Sequence, residues 1–299
     1  MKISLGSWAF SFGPYAGDPV PFEKVVKRLA ETGYDGIELC GFPPHVALDD
    51  YPTTESRREL KQLIADNGLG VSGYSADFSW VNPLVPGQKQ KYLDLFRRHV
   101  ELCADVSSPL IRVDTVAAPG SVSDKDYLKA FDHLAETWSE AASIAAEEGV
   151  LVAWEFEPGF IFNKPSEVLA MHAQVDHPNF KIMFDTCHAY MCAVVGARQY
   201  GAKDLLPGGV KEFLDKLSGR IGAIHLIDSD GTLHGDETST HRPFGEGLIN
   251  FEDLTPRLLA VPNIDWWTVD MCFWAGSWQL VASSRKFVAK LLQHREVMR

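Results

Sequence analysis

The chain has 299 residues, 45% of them hydrophobic and 23% charged, a balance that supplies a sizeable core and excludes a disordered chain. A formal net charge of -12 argues against DNA, RNA or an anionic membrane as the main partner. The cysteines Cys40, Cys103, Cys187, Cys192 and Cys272 are odd in number, widely spread and lack a C-x-x-C pair, so neither a disulfide framework nor a thiolate zinc site is indicated. The opening MKISLGSWAF carries no cleavage pattern, and no window approaches a membrane span, so the expected location is the cytoplasm.

Apolar, β-rich runs recur along the chain, and stretches of helical period separate them. The first run, ISLGSWAF (3–10), precedes FEKVVKRLAET (22–32), where Val25, Val26, Leu29 and Ala30 share one helical face. Gly33 then stands where a left-handed helix stop is expected, ahead of DGIELC (35–40), and Gly68 and Gly70 bracket the start of LGVSGYS (69–75). PLIRVDT (109–115) is the fourth run. The longest helical pattern, 127–148, follows it, with Ser123 as a candidate cap and Gly149 as its stop. VLVAWEFE (150–157), FKIMFD (180–185), IGAIHLI (221–227) and DWWTVD (265–270) complete eight candidate strands. The stretches after strands are longer than those before them and richer in His, Asp, Gly and aromatics, above all 228–250.

Eight strand-then-helix units without a linker, and without G-x-G-x-x-G or G-x-x-x-x-G-K-[ST] after the first strand, predict a single (β/α)8 TIM barrel over residues 1–299. In such a barrel the catalytic groups come from the carboxyl ends of several strands. Strand five closes with Glu155 and Glu157, strand six with Asp185, strand seven with His225 and strand eight with Asp270, and period-two alternation lets them share the inner face. Taken singly, Asp185 reads as a helix cap, His225 as a core histidine and Asp270 as a loop-edge acid. Together they predict a cluster that a divalent cation would neutralise, and its oxygen-rich donors favour Mn²⁺, with Mg²⁺, Co²⁺ and Zn²⁺ as alternatives. Glu157, followed by Pro158, is a rim ion-pair former or an alternative ligand or base. His188, one turn beyond Asp185, reaches either the metal or a substrate oxygen. Trp8 and Trp266 are expected as pocket walls for a sugar ring. Arg112 either holds an anionic substrate group or pairs inside the barrel with Asp114.

The segments GYDGIEL, PLIRVDT, WEFEPG, FDTCHAY, IHLID, HRPFGEGLINF and WWTVD, in this order, resemble the xylose isomerase-like TIM-barrel superfamily, in particular its sugar phosphate isomerase/epimerase branch. The resemblance implies that Glu155, Asp185, His225 and Asp270 hold one divalent metal, and that Glu155 and Asp270 are the proton-transferring pair. It also implies that His188 contacts substrate and that Glu38, Arg112 and His241 occupy pocket positions. Asp270 departs from the pattern, since relatives usually carry glutamate there. The implied activity is a metal-dependent isomerase or epimerase of a sugar or sugar derivative working through an enediolate, with a lyase or dehydratase acting on a keto-sugar or keto-inositol as the alternative. A small-molecule carbohydrate is the expected partner, and relatives often form homo-oligomers. Related endonucleases use extra histidines and an Asp-x-His ahead of G-E-G. Here STHRPFGEG carries Ser239 at that aspartate position, which with the acidic charge disfavours nucleic-acid hydrolysis. A non-catalytic sugar-binding barrel is the remaining reading.

Overall fold

All eight apolar runs form strands in the computed structural model, which describes residues 1–297. They are β1 (Lys2–Gly6), β2 (Gly36–Cys40), β3 (Gly70–Ser75), β4 (Leu110–Val113), β5 (Leu151–Glu155), β6 (Phe180–Asp185), β7 (Ile221–Leu226) and β10 (Trp266–Val269). Each pairs in parallel with its neighbours, and the ring closes in the order β1-β10-β7-β6-β5-β4-β3-β2. This is the expected (β/α)8 TIM barrel. Closure leaves no strand edge, and the alternation of each strand splits its residues between the inside of the ring and the helical shell. Inward, Leu110, Ala153, Met183 and Ala223 meet as one packed layer. Outward, Trp154 of β5 packs on Trp138 with ring centroids 5.1 Å apart, and Phe180 of β6 meets the same ring at 5.5 Å.

The shell contains α1 (Phe22–Glu31), α2 (Thr54–Asp66), α3 (Lys89–Val106), α4 (Tyr127–Glu147), α5 (Pro165–Val175), α6 (Thr186–Tyr190), α7 (Gly209–Lys216), α8 (Phe251–Ala260) and α9 (Ser277–Val297). Gly33, Gly68 and Gly149 have φ of +81°, +75° and +68°, so each ends a helix in the left-handed conformation that the short return to the next strand requires. Ser123 does not cap α4. The helix begins at Tyr127, and the Ser123 hydroxyl instead donates to Asp126 Oδ2 at 2.6 Å. No helix among the described residues is long and apolar enough to cross a membrane.

Two features separate the ends of the barrel. At the amino-terminal end Trp266 opens β10, and its ring lies so close over β2 and β3 that a Cβ on Gly36 would sit 2.6 Å from it. Trp266 therefore floors the barrel and does not wall the pocket as its sequence suggested: the first residue of a strand faces the end opposite to the catalytic loops. At the carboxyl end the 228–250 stretch folds into an antiparallel hairpin, β8 (Asp228–His234) and β9 (Thr238–Arg242), that leans over the barrel mouth.

Candidate active site

Strand register brings the predicted ligand-type residues together. Glu155 ends β5, Asp185 ends β6, and Asp185 is the register partner of His225 on β7. His225 in turn pairs with Thr268 of β10, and Asp270 follows that strand with its N–H on the Leu226 carbonyl at 3.1 Å. One donor atom from each of Glu155, Asp185, His225 and Asp270 lies within 4.8 Å of the others, and all four residues are buried.

Each of the four is anchored through one atom. Glu155 Oε2 accepts from Arg112 Nε at 2.6 Å, Asp185 Oδ1 from the His188 N–H at 2.8 Å, and Asp270 Oδ1 from Trp8 Nε1 at 2.7 Å and the Cys272 N–H at 3.0 Å. His225 Nε2 is 3.0 Å from Glu38 Oε2. The other donor atoms turn toward a common point. Glu155 Oε1, Asp185 Oδ2 and His225 Nδ1 are buried without a hydrogen-bond partner, although Nδ1 and Oε1 stand only 2.9 Å apart. Unpaired buried carboxylate oxygens are expensive, and three carboxylates with one imidazole are a donor set that suits a divalent ion. The cluster could hold such an ion.

The cap and the ligand readings of Asp185 are both true of its geometry. It sits at φ -88°, ψ 130° as the N-cap of α6, using one oxygen, while the second stays free in the cluster.

Charge balance follows from these contacts. Burial opposes ionisation of Glu155, but the Arg112 and His225 charges outweigh it and hold its carboxyl well below the usual range. Burial likewise works against a charged His225, and the facing Glu38 and Glu155 carboxylates override it, raising the imidazole well above its ordinary value. At Asp185 burial, reinforced by Asp270 and Glu155, outweighs the facing His241 and His225 and pushes the carboxyl up to about 7.

Above the cluster lies a cavity of about 400 Å³, lined in part by Trp8, Arg112, Glu157, His188 and His241. The His188 ring places Nδ1 2.8 Å from Ser239 Oγ and Nε2 3.9 Å from Glu157 Oε2, and burial lowers it to about 3, so it is neutral. His241 lies on β9 with both ring nitrogens unbonded and Nδ1 3.4 Å from Asp270 Oδ1. Glu157 lies beyond the end of β5 outside the four-residue cluster, accepts from the Thr238 hydroxyl, and is raised by burial to about 7. Arg112 takes the interior ion-pair alternative, with Nη1 on Asp114 Oδ2 at 2.6 Å and Nε on Glu155. Glu38 does not reach the cavity. Its inward position one layer below the strand ends puts it beneath His225, where Ser75 Oγ donates to its other oxygen at 3.2 Å.

The hairpin, Thr238 and the Ser239 contact with His188 escaped sequence reading, which marked Ser239 only as a departure from the endonuclease pattern. The available signal was Gly235-Asp236, both at positive φ (+59° and +57°), between Thr232-Leu233-His234 and Thr238-Ser239-Thr240. Asp228 was also missed as an organiser of the next loop. Its Oδ2 accepts from Gly245 and Gly247 N–H at 3.0 and 3.1 Å, and its Oδ1 from Ile249 at 3.0 Å.

A family model described as "Xylose isomerase-like TIM barrel" matches residues 26–285. Fructoselysine 3-epimerase of Shigella flexneri is 24% identical over 243 residues, covering 79% of this chain and 79% of its own. Inosose dehydratase of Glaesserella parasuis is 22% identical over 288 residues and 90% of each chain. Among solved structures, a D-tagatose 3-epimerase-like protein superposes over the whole of both chains with a TM-score of 0.75 at 21% identity, a likeness of fold.

Proposed function

The chain belongs to the xylose isomerase-like TIM-barrel family, and from that premise we propose that it is a divalent-metal-dependent isomerase or epimerase of a sugar or sugar derivative. The observation that carries this reading is the convergence of Glu155, Asp185, His225 and Asp270, each anchored by one atom and presenting another, at the base of a cavity. An epimerase acting on a sugar derivative among the relatives supports it. The oxygen-rich donor set favours Mn²⁺, and the five free cysteines support a reducing, cytoplasmic location.

A divalent ion held by the four residues would polarise a substrate carbonyl and offset the charge of an enediolate. The chain's own groups do the rest. A carboxylate oxygen of Glu155 or Asp270 takes the proton from the carbon beside the carbonyl, and the other carboxylate, after drawing a proton from water, returns one. Return to the opposite face of that carbon gives an epimer; return to the neighbouring carbon, with a proton passing between the two oxygens, gives an aldose–ketose isomer. Arg112 and Trp8 fix the two acids through Glu155 Oε2 and Asp270 Oδ1, so the reacting oxygens are aimed before substrate arrives. His188 and His241 line the cavity where sugar hydroxyls would lie.

The test is proton exchange. The Mn²⁺-loaded protein, incubated with ketoses and 3-keto sugars in D₂O, should place deuterium at the carbon next to the carbonyl. Glu155→Gln and Asp185→Asn should abolish uptake while the fold persists; no uptake with any member of the panel would sink the reading. Elimination is the second reading, favoured by Glu157, a carboxyl raised to about 7 that lines the cavity and could protonate a departing hydroxyl. It predicts a new absorbance from the unsaturated product, lost in Glu157→Gln.

A further inference from the structure

Toward the opening, the cavity wall changes character. In the ring order β1-β10-β7-β6-β5-β4-β3-β2, β1 stands diametrically opposite β5, and β10 opposite β4. Phe12 follows β1 and Phe273 follows β10, with Phe42 beside them after β2; across the mouth, Phe160 follows β5 and Val116 follows β4. All five line the cavity, and each keeps part of its surface open. On one side the rings form a continuous wall: Phe12 meets Phe42 edge-on at 5.3 Å and stacks on Phe273 at 6.3 Å, and the His234 ring of the hairpin backs Phe273 at 4.6 Å.

Backbone conformation is held under strain to present two of these side chains. Val116 has φ +60° and Phe273 φ +61°, a region that costs a non-glycine residue about 1–3 kcal/mol and is least suited to a β-branched one. The Val116 N–H is held by Asp114 Oδ1 at 2.8 Å. A Cβ at Gly13 would meet the Phe273 ring at 2.8 Å, so a glycine there makes room for it. Backbone strain kept to present apolar side chains on both sides of the mouth points to an apolar group held between them.

The charge of the cavity restricts the ligand further. Asp114, Glu155, Glu157, Glu237 and Asp270 line it, against the guanidiniums of Arg112 and Arg198. Arg112 is taken up by Glu155 and Asp114, and Arg198 Nη1 donates to the Glu237 carbonyl at 2.8 Å. Among the described residues, Arg198 is thus the one guanidinium on this lining that pairs with no carboxylate, so no arginine cluster is built here to hold a phosphate.

We propose that the substrate is an uncharged keto-sugar carrying a flat apolar substituent, an aryl glycoside being the simplest case, with the sugar against the acidic cluster and the flat group between the Phe12–Phe42–Phe273 wall and Phe160. The sugar end of this proposal rests on the isomerase reading above; the flat group rests on the mouth.

The experiment is calorimetric titration of the full, Mn²⁺-loaded chain with phenyl 3-keto-β-D-glucoside, methyl 3-keto-β-D-glucoside and fructose 6-phosphate. The phenyl ligand should bind about tenfold more tightly than the methyl one, the effect of one well-placed ring. Phe160→Ala and Phe12→Ala should each bring that ratio toward one, with melting temperatures confirming the fold. Equal affinity for the phenyl and methyl ligands, tightest binding of the sugar phosphate, or no binding of the phenyl ligand at millimolar concentration overturns the proposal. Deuterium uptake by simple ketoses keeps the two readings apart: uptake without a phenyl preference overturns the mouth alone, and a phenyl preference without uptake overturns the isomerase alone.

Discussion

Glu38 Oε2 and His225 Nε2 stand 3.0 Å apart, at the opposite ring nitrogen from the one directed at the acidic cluster. Glu38 therefore fixes the ring orientation by accepting the Nε2–H hydrogen bond, which leaves Nδ1 as the nitrogen facing the cluster and makes it more basic. Glu38→Gln keeps the shape and removes the charge. Metal affinity should fall by about 10–100-fold, the usual effect of losing such a carboxylate. Competition with a chelator of known affinity measures this, and an unchanged affinity would show that the pair is structural only.

What sequence could and could not reveal divides along physical lines. Alternation and glycine stops made the barrel legible, because every strand buries both faces and every return loop is short. Position at a strand end made Glu155, Asp185, His225 and Asp270 legible. Depth along the barrel was not. Glu38 and Trp266 are both inward-facing, but Glu38 lies one layer below the mouth and Trp266 at the floor, and period-two counting gives face without height. Arg112 was ambiguous because Asp114 follows it on the same stretch of chain, whereas Glu155 stands on the neighbouring β5, whose register against β4 is not given by spacing along the sequence. The hairpin was obscured by its polar composition, since it packs on the site and not in the core.

Metal uptake should release protons. In the metal-free protein, burial pushes Asp185 up to about 7, and Glu38 and Glu155 keep His225 charged. A metal ion accepts only the deprotonated forms, so apparent affinity should rise with pH by at least tenfold per unit below about 7, from the Asp185 carboxyl alone. Calorimetry in two buffers of different ionisation enthalpy should find more than one proton released per ion at pH 6. Release of none would mean that another ligand set is used. The same shift has a stability consequence. Because the folded carboxyl holds its proton up to about 7 against an ordinary 3.8, its contribution is full below that lower value and is lost as pH rises through about 7. Metal-free Asp185→Asn should thus melt higher than the metal-free parent at pH 8, while binding no metal.

Trp8 orients the strand-eight acid. Its Nε1 donates to Asp270 Oδ1 at 2.7 Å, and the ring lies over β1 where a Cβ on Gly6 would come within 2.1 Å of it. Trp8→Phe keeps most of the ring and deletes the donor, leaving Asp270 Oδ1 with the Cys272 N–H. The rate of deuterium uptake should drop by about tenfold, in line with the loss of one charge-assisted hydrogen bond at a reacting carboxylate. Asp270, shorter by a methylene than glutamate, has less freedom to recover its aim. Parent-like uptake in Trp8→Phe would assign proton transfer to another acid, and Glu157→Gln would then be the variant to compare.

Asp228 ties the hairpin and the loop that follows it to the end of β7. Four backbone N–H groups, those of Ser229, Gly245, Gly247 and Ile249, donate to its two oxygens at 2.9–3.1 Å, and its side chain is buried. Gly247 passes so close that a Cβ there would lie 2.3 Å from Oδ1. The loop then delivers Asn250, whose side chain caps α8 through the Asp253 N–H at 3.1 Å. An amide at this position is a poor replacement, because its NH₂ would face N–H donors in place of an acceptor. Asp228→Asn should therefore cost about 3 kcal/mol in urea unfolding, close to Asp228→Ala, as buried donors lose charged acceptors. Gly247→Ala should be comparably harmful through the clash with the same carboxylate. A loss below about 1 kcal/mol in the asparagine variant would mean that the loop is held by packing of Phe244 on Phe251 and Phe287 instead. Because His241 stands on the hairpin that Asp228 begins, the destabilised variants should also lose deuterium uptake while the four cluster residues still take up Mn²⁺.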